Sequence, residues 1–425
     1  MPSKQATETL KVPKGVEGYG PSKEAHRYFC SPLWRKSLPT VVDRGLEGVV
    51  VGSTQLSNVE GAIGRLTYRG YDIDDLAPNA TFEEIVHLLL YGHLPNRHQL
   101  DVLKRELGAC RALPEPLLNA MQNVPKTAWP MDVLRTIVSG LALFSPVNAQ
   151  GEHLSDVHTA IELIAKMPTI VAAWDRIRRG LDPIGPRSDL SQAGNFLYMR
   201  SGKVPHAIEE DALDTYFVLL ADHSFNASTF AARVAASTRA DIYASVTAAL
   251  ATLQGDLHGG AASAAYLTLE EVKTPENAEP YVREILNGGQ RIMGMGHREY
   301  KVRDPRARHL EAMARELAEY VGDDRWYATA HALEEASRKV LQERKPGNTI
   351  YANVDFYTAP VLSDLGIPGD EFTCLFACGR IAGWSGHVLE QLADNRLIRP
   401  QASYEGPVTG PYVPIEQRGT NGARG

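Results

Sequence analysis

The sequence predicts a mainly α protein with a small N-terminal β patch. Three observations point there. Apolar residues recur at helical spacing along most of the chain. Gly and Pro punctuate the joints, at Pro114, Gly180-Leu181-Asp182-Pro183, Gly202, Gly288-Gly289 and Pro346-Gly347. Only 45–66, GLEGVVVGSTQLSNVEGAIGRL, departs from this pattern, with short Val-rich runs cut by Gly and Asn that read as strands and turns.

In chain order, residues 1–40 mix Pro, Gly, Lys and Tyr without periodicity and read as an N-terminal arm. After the β patch, Thr81-Phe82-Glu83-Glu84 forms a capping box that opens an apolar helix running through Leu90. Helical periodicity returns at 97–111, 131–144, 156–178, 209–222, 226–253, 261–272, 307–321, 326–343 and 369–393. There is no internal repeat and no low-complexity segment.

Composition narrows the class without choosing a function. The chain has 425 residues, 44% hydrophobic and 22% charged, with a net charge of −7. At roughly 150 residues per domain the length suggests two or three domains. The acidic balance argues against a nucleic-acid binder, whose footprint is normally basic. The N-terminus lacks an apolar signal core and carries Glu8 and Glu17, unlike a secretory or mitochondrial leader. The most apolar region, 231–253, contains Arg233, Arg239 and Asp241, which excludes a membrane span. Cys30, Cys110, Cys374 and Cys378 match no zinc or redox spacing, and the last two, one helical turn apart, suit small buried hydrophobes. These features predict a cytoplasmic location.

Four polar constellations interrupt the amphipathic pattern at helix joints. In 221–229, ADHSFNAST, either Asn226 or Ser228 caps a helix with His223 in the loop, or the helix start and His223 together bind an anion. In 255–261, GDLHGGA, His258 is either structural or a donor to a developing oxyanion, and the glycines allow close approach. In 291–306, His297 follows Gly294-x-Gly296, and Arg298, Lys301, Arg303 and Arg306 come next, with Pro305 stopping a helix near the cluster. Arginine forks suit carboxylates and phosphates on a small substrate. No third glycine and no strand–helix unit accompanies Gly294-x-Gly296, so a dinucleotide fingerprint is incomplete. In NVDFY, Asp355 is either a helix N-cap or a part-buried base with a raised pKa.

Two more arginines stand out. Arg380 lies in the apolar helix FTCLFACGRIAGW, where an unpaired charge is costly and implies an anionic partner. Arg399 precedes Pro400 in a C-terminal loop. The histidines show no H-x-x-x-H spacing, so no metal site is expected. A base, two histidines and carboxylate-fitting arginines together suit proton abstraction beside a carbonyl and carbon–carbon condensation.

The segments DHSFNAST, LHGGA, GMGHREYKVRDPRA, NVDFY and FACGRIAGW, with GAIGRLTYRGYDIDDLA upstream, closely resemble the citrate synthase family in order and spacing, across residues 45–410. The resemblance is to bacterial-type citrate and 2-methylcitrate synthases. It implies a two-domain multi-helical fold, with a large domain at 1–262 and 366–425 and a small one inserted at 263–365. It also implies a homodimer whose cleft binds oxaloacetate and acetyl-CoA, with no metal and no cofactor beyond the coenzyme A thioester. Carried over residue by residue, Asp355 would be the base, His258 would donate to the thioester oxygen, and His297 would donate to the oxaloacetate carbonyl. His223, Arg306 and Arg380 would hold the oxaloacetate carboxylates beside Asn226, and Arg399 would come from the partner subunit. Arg291, Ile292, Met293 and Gly294 would meet the CoA adenine, and Lys301 its phosphates. Propionyl-CoA, giving 2-methylcitrate, is the alternative substrate. Leu220, Ser224, Asp256, Ala262 and Ala352 depart from the commonest family pattern around the site.

Overall fold

The computed structural model describes residues 45–145, 156–347, 350–406 and 410–418. The expected arm at 1–40 and Cys30 lie outside the described residues. The chain divides into two units. In one, the described residues 45–50, 400–406 and 410–418 carry a turn and a single 3-10 turn at Ile415–Gln417. The other, Val51–Arg399, holds the regular structure discussed below.

Its β patch is a three-stranded antiparallel sheet in the order β1 (Ser57–Glu60), β2 (Arg65–Tyr68) and β3 (Tyr71–Asp72). Ser57 pairs with Tyr68. The strands begin later than the expected 45–66. Val49, Val50 and Val51 are exposed and form no strand, because β propensity is realised only on a half-buried pleated surface.

The helices follow: α1 (Ile73–Leu76), α2 (Phe82–Tyr91), α3 (Arg97–Cys110), α4 (Glu115–Gln122), α5 (Pro130–Leu141) and α6 (Asp156–Arg178). Next come α7 (Gln192–Ser201), α8 (Ala207–Leu220), α9 (Ala227–Ser237), α10 (Ile242–Leu253) and α11 (Gly260–Val272). The last are α12 (Ala278–Asn287), α13 (Pro305–Val321), α14 (Arg325–Arg344), α15 (Val354–Asp364) and α16 (Phe372–Ala393). The capping box at Thr81 is present, with the Glu84 carboxylate accepting from the Thr81 amide at 2.8 Å.

Three expectations need correction. The segment 226–253 is two helices, because Arg239 turns into the left-handed region at φ 64° and Asp241 starts α10 by capping Ala244 N–H at 2.7 Å. Pro305 opens a helix rather than stopping one: at the first helical position its missing N–H has no intrahelical partner to lose. Helices α1, α4, α7, α12 and α15 are additional to the periodic segments. Short helices carry too few turns for periodicity to stand out, and tertiary packing stabilises them.

Helices α6 and α16 are buried on nearly every face. α16 packs against α2, α6, α8, α9 and α10, and carries Cys374 and Cys378 fully buried, their thiols pushed up by burial. Helices α11, α13, α14 and α15 pack among themselves, and α8 touches both α13 and α15. The polar joints therefore gather where the end of α8 meets the starts of α13 and α15.

Candidate active site

The first joint lies between α8 and α9. Asn226 is the cap, its Oδ1 accepting from Thr229 N–H at 3.1 Å and from the Ser228 hydroxyl at 2.8 Å. His223 is buried, with its Nε2 3.1 Å from the Tyr300 hydroxyl. Burial, then Arg306, His297 and Arg380, holds its pKa well below the ordinary value, so the ring is neutral at pH 7.

At the second joint, the Gly259 amide turns back to the Leu253 carbonyl at 2.9 Å. A Cβ on Gly259 would lie 2.2 Å from that same oxygen, so only glycine fits. This tight turn presents His258, whose Nε2 meets the Ser228 N–H at 3.3 Å and the Ser228 hydroxyl at 2.8 Å. A backbone N–H can only donate, so Nε2 accepts and the neutral ring carries its proton on Nδ1. Burial and Arg380 lower the His258 pKa to about 4.

The third and fourth joints are tied together. Met295 and Ala352 form an antiparallel bridge, the Gly296 amide donates to the Tyr351 carbonyl at 2.8 Å, and the Asn353 amide donates to the Gly294 carbonyl at 2.9 Å. Gly294 has φ +75°, and a Cβ there would come within 2.9 Å of the Phe356 ring. This pairing ties the segment leading to His297 to the one leading to Asp355. His297 Nδ1 accepts from the backbone amides of Glu299 and Tyr300 at 3.0 and 3.2 Å, which leaves the proton on Nε2. Burial and Arg306 lower the His297 pKa to about 4.

Asp304 caps α13 and grips Arg306 with both carboxylate oxygens, at 3.0 and 2.8 Å. Its Oδ2 also accepts from Val354 N–H at 3.3 Å, joining the starts of α13 and α15. Asn353, not Asp355, caps α15, and it sets Asp355 in the first turn of the helix. Asp355 is partly exposed, yet burial raises its carboxyl to about 6 despite the lowering influence of Arg306 and Arg380. Arg380 is buried, donates from Nε to the Leu220 carbonyl at 2.6 Å, and stacks 4.7 Å over Phe376. Among the described residues no carboxylate forms an ion pair with it, and burial lowers its pKa to about 10. A buried guanidinium of this kind favours an anionic ligand.

The structure thus groups His223, His258, His297, Arg306, Asp355 and Arg380, with Asn226 on the rim. The rings of His223 and His297 lie 5.5 Å apart. Arg399 is exposed and makes no described contact with this group. Arg291 and Met293 are exposed and Ile292 is buried, while Lys301 directs its ammonium to the Arg298 carbonyl at 3.1 Å. Arg303 pairs with Glu311 and Glu334 and so serves the fold. Sequence reasoning missed Ser57, Ser228, Tyr300 and Trp384 as partners. The Trp384 indole donates to the Ser228 hydroxyl at 3.1 Å, and nothing local in GRIAGW signals that contact. Asp304, two residues before Arg306, was the one partner with a local signal, the Asp-Pro helix start.

A family model described as "Citrate synthase, C-terminal domain" matches residues 45–401. The chain is similar to "Citrate synthase 2" of Bacillus subtilis (strain 168), 44% identical over 376 residues, covering 88% of this chain and 99% of that protein. It is also similar to "2-methylcitrate synthase" of Shewanella oneidensis, 39% identical over 375 residues, covering 88% and 97%. Among solved structures it resembles the ternary complex of carboxymethyl coenzyme A and oxaloacetate with citrate synthase from Thermoplasma acidophilum. That match has TM-score 0.80 and 35% identity, and covers 89% of this chain and 99% of that one.

Proposed function

The chain belongs to the citrate synthase family, an acyltransferase family, and we propose that it condenses acetyl-CoA with oxaloacetate through the residues gathered above. The observation that carries this reading is the fixed protonation of two neutral histidines around a carboxylate of raised pKa.

Asp355 removes a proton from the thioester methyl group. His258 donates from Nδ1 to the thioester oxygen as the enol forms, and His297 donates from Nε2 to the oxaloacetate carbonyl as the methyl carbon attacks it. General acid–base help is typically worth about 10²–10⁴-fold, and an oxyanion donor about 10²–10³-fold. Arg306, Arg380 and His223 hold the carboxylates beside Asn226, and Arg399 of the partner subunit completes the set in a homodimer. Arg291, Ile292, Met293, Gly294 and Lys301 contact CoA. Water then cleaves the citryl thioester, releasing CoA and citrate. The proton transfers all lie within the protein and substrates, so the reading calls for no metal or cofactor. It extends to a large domain at 1–262 and 366–425, a small domain at 263–365, and a cytoplasmic location.

Thiol-reagent detection of CoA tests the reaction. Release from acetyl-CoA that depends on oxaloacetate supports it, and no oxaloacetate-dependent release from any short acyl-CoA sinks it. The likeness to the Shewanella protein favours propionyl-CoA as the second substrate to try. One methylene is worth only about 1–3 kcal/mol of discrimination, so the ratio of rates on the two thioesters decides.

A further inference from the structure

His223 sits between regular elements, since α8 has ended at Leu220 and α9 begins at Ala227. The Tyr68 hydroxyl of β2 holds the Asp222 backbone, and Gly383 of α16 donates to the Ala221 carbonyl. Its neighbour Ser224 has φ 52°, in the left-handed region that side-chain-bearing residues seldom occupy. The side chain that joins both flanks of His223 comes from far away in sequence. Ser57, the first residue of β1, accepts the Ser224 N–H on its Oγ at 2.8 Å and donates its own proton to Asp222 Oδ2. A hydroxyl can do both at once.

Asp222 is held in turn. Its Oδ2 also accepts from His387 Nε2 at 3.2 Å, and Arg233 donates to His387 Nδ1 at 3.1 Å, which fixes the His387 proton on the Asp222 side. Arg233 is paired with Glu390 at 2.6 Å. Glu390 accepts the Gln55 N–H at 2.7 Å, two residues before Ser57, so the circuit closes on the segment that leads into β1. Ser57, Asp222, His387 and Arg233 are buried, and none of them belongs to the condensing set.

We propose that Ser57 is a positioning residue, whose hydroxyl fixes the Asp222–Ser224 backbone and thereby aims His223 at an oxaloacetate carboxylate. The inference rests on the reading that His223 binds that substrate. Ser57 acts through His223 and never touches the reacting atoms. Small displacements matter here because a misplacement of about 1 Å at a site can cost roughly 10²-fold.

The test is steady-state kinetics on S57A, S57C, which keeps the volume, and S57T, which keeps the hydroxyl, each checked for folding by circular dichroism. Losing two hydrogen bonds should raise the KM for oxaloacetate about tenfold in S57A and S57C. The KM for acyl-CoA and kcat should stay within about twofold, and S57T should lie near the parent, since the effect is confined to one substrate's contacts. An unchanged oxaloacetate KM in folded S57A or S57C overturns the proposal. So does a parallel rise in both KM values with falling kcat, which marks a merely structural role. If S57A fails to fold, S57C carries the test. His223→Gln separates the two levels. If it raises the oxaloacetate KM and S57A does not, Ser57 alone is refuted. If it leaves that KM unchanged, the His223 reading fails and takes the proposal with it. A double variant no worse than His223→Gln supports the coupling.

Discussion

The proposed base, Asp355, is the part of the site whose behaviour can be worked out in most detail. Asp355 carries a carboxyl raised to about 6, mainly by burial, with Asp304 raising it further and Arg306 and Arg380 pulling the other way. Only the ionised form can accept the methyl proton, so activity must fall as pH falls. With a pKa of about 6, roughly nine-tenths is ionised at pH 7 and roughly one-tenth at pH 5, so kcat/KM should drop about tenfold over that range. An ordinary aspartate near 3.9 would lose less than about a tenth over the same range. His258 and His297, both at about 4, stay mostly neutral down to pH 5 and add little to the fall. The assay is the pH profile of kcat/KM for the acyl-CoA, with far-UV circular dichroism confirming the fold at pH 5. A profile flat from pH 5 to 7 would refute the assignment of Asp355 as a base in a desolvating site.

Three further outcomes follow. Asp355→Asn should abolish turnover yet raise stability at pH 7, because a folded pKa above the unfolded one makes the ionised group unfavourable in the native state. The gain is up to about 3 kcal/mol and is present above pH 6. It should vanish as pH falls through about 6 toward 4, and equal melting temperatures at both pH values would contradict it. Asp304→Asn removes an anion near Asp355 and leaves Arg306 unopposed, so the inflection of the pH profile should move below 6; an upward move would show that the pairing has been misread. Gly294→Ala forces a side chain into a left-handed position against Phe356, and should cost about 3 kcal/mol in denaturant unfolding together with a loss of kcat. Unchanged stability would show that the 294–296 pairing with 351–353 is loose.

Much of the molecule was legible in the sequence because its signals are local. The capping box at Thr81, the helix at 156–178 and the buried Cys374 and Cys378 need only neighbouring residues to be recognised. The same holds for His223, His258, His297 and Asp355, which stand out because polar groups at helix joints break an apolar rhythm. Arg380 stood out as a charge inside an apolar helix, and the structure leaves it without an ion-pair partner among the described residues. The break at Arg239 was hidden because Ala-rich sequence on both sides keeps the helical period running through the turn.

Local patterns were therefore enough for the class of fold, the chemical types at the joints and the family to which their spacing belongs. Only long-range packing decided the protonation of His258, since Ser228 meets it across 30 positions of chain. It alone tied Asp304 to the start of α15 across 50 positions, and carried Ser57 across 165 positions to Asp222. The physical reason is common to all three. A hydrogen bond is settled by two atoms meeting within about 3 Å in a given direction, and a sequence pattern records residue types and intervals but not that meeting.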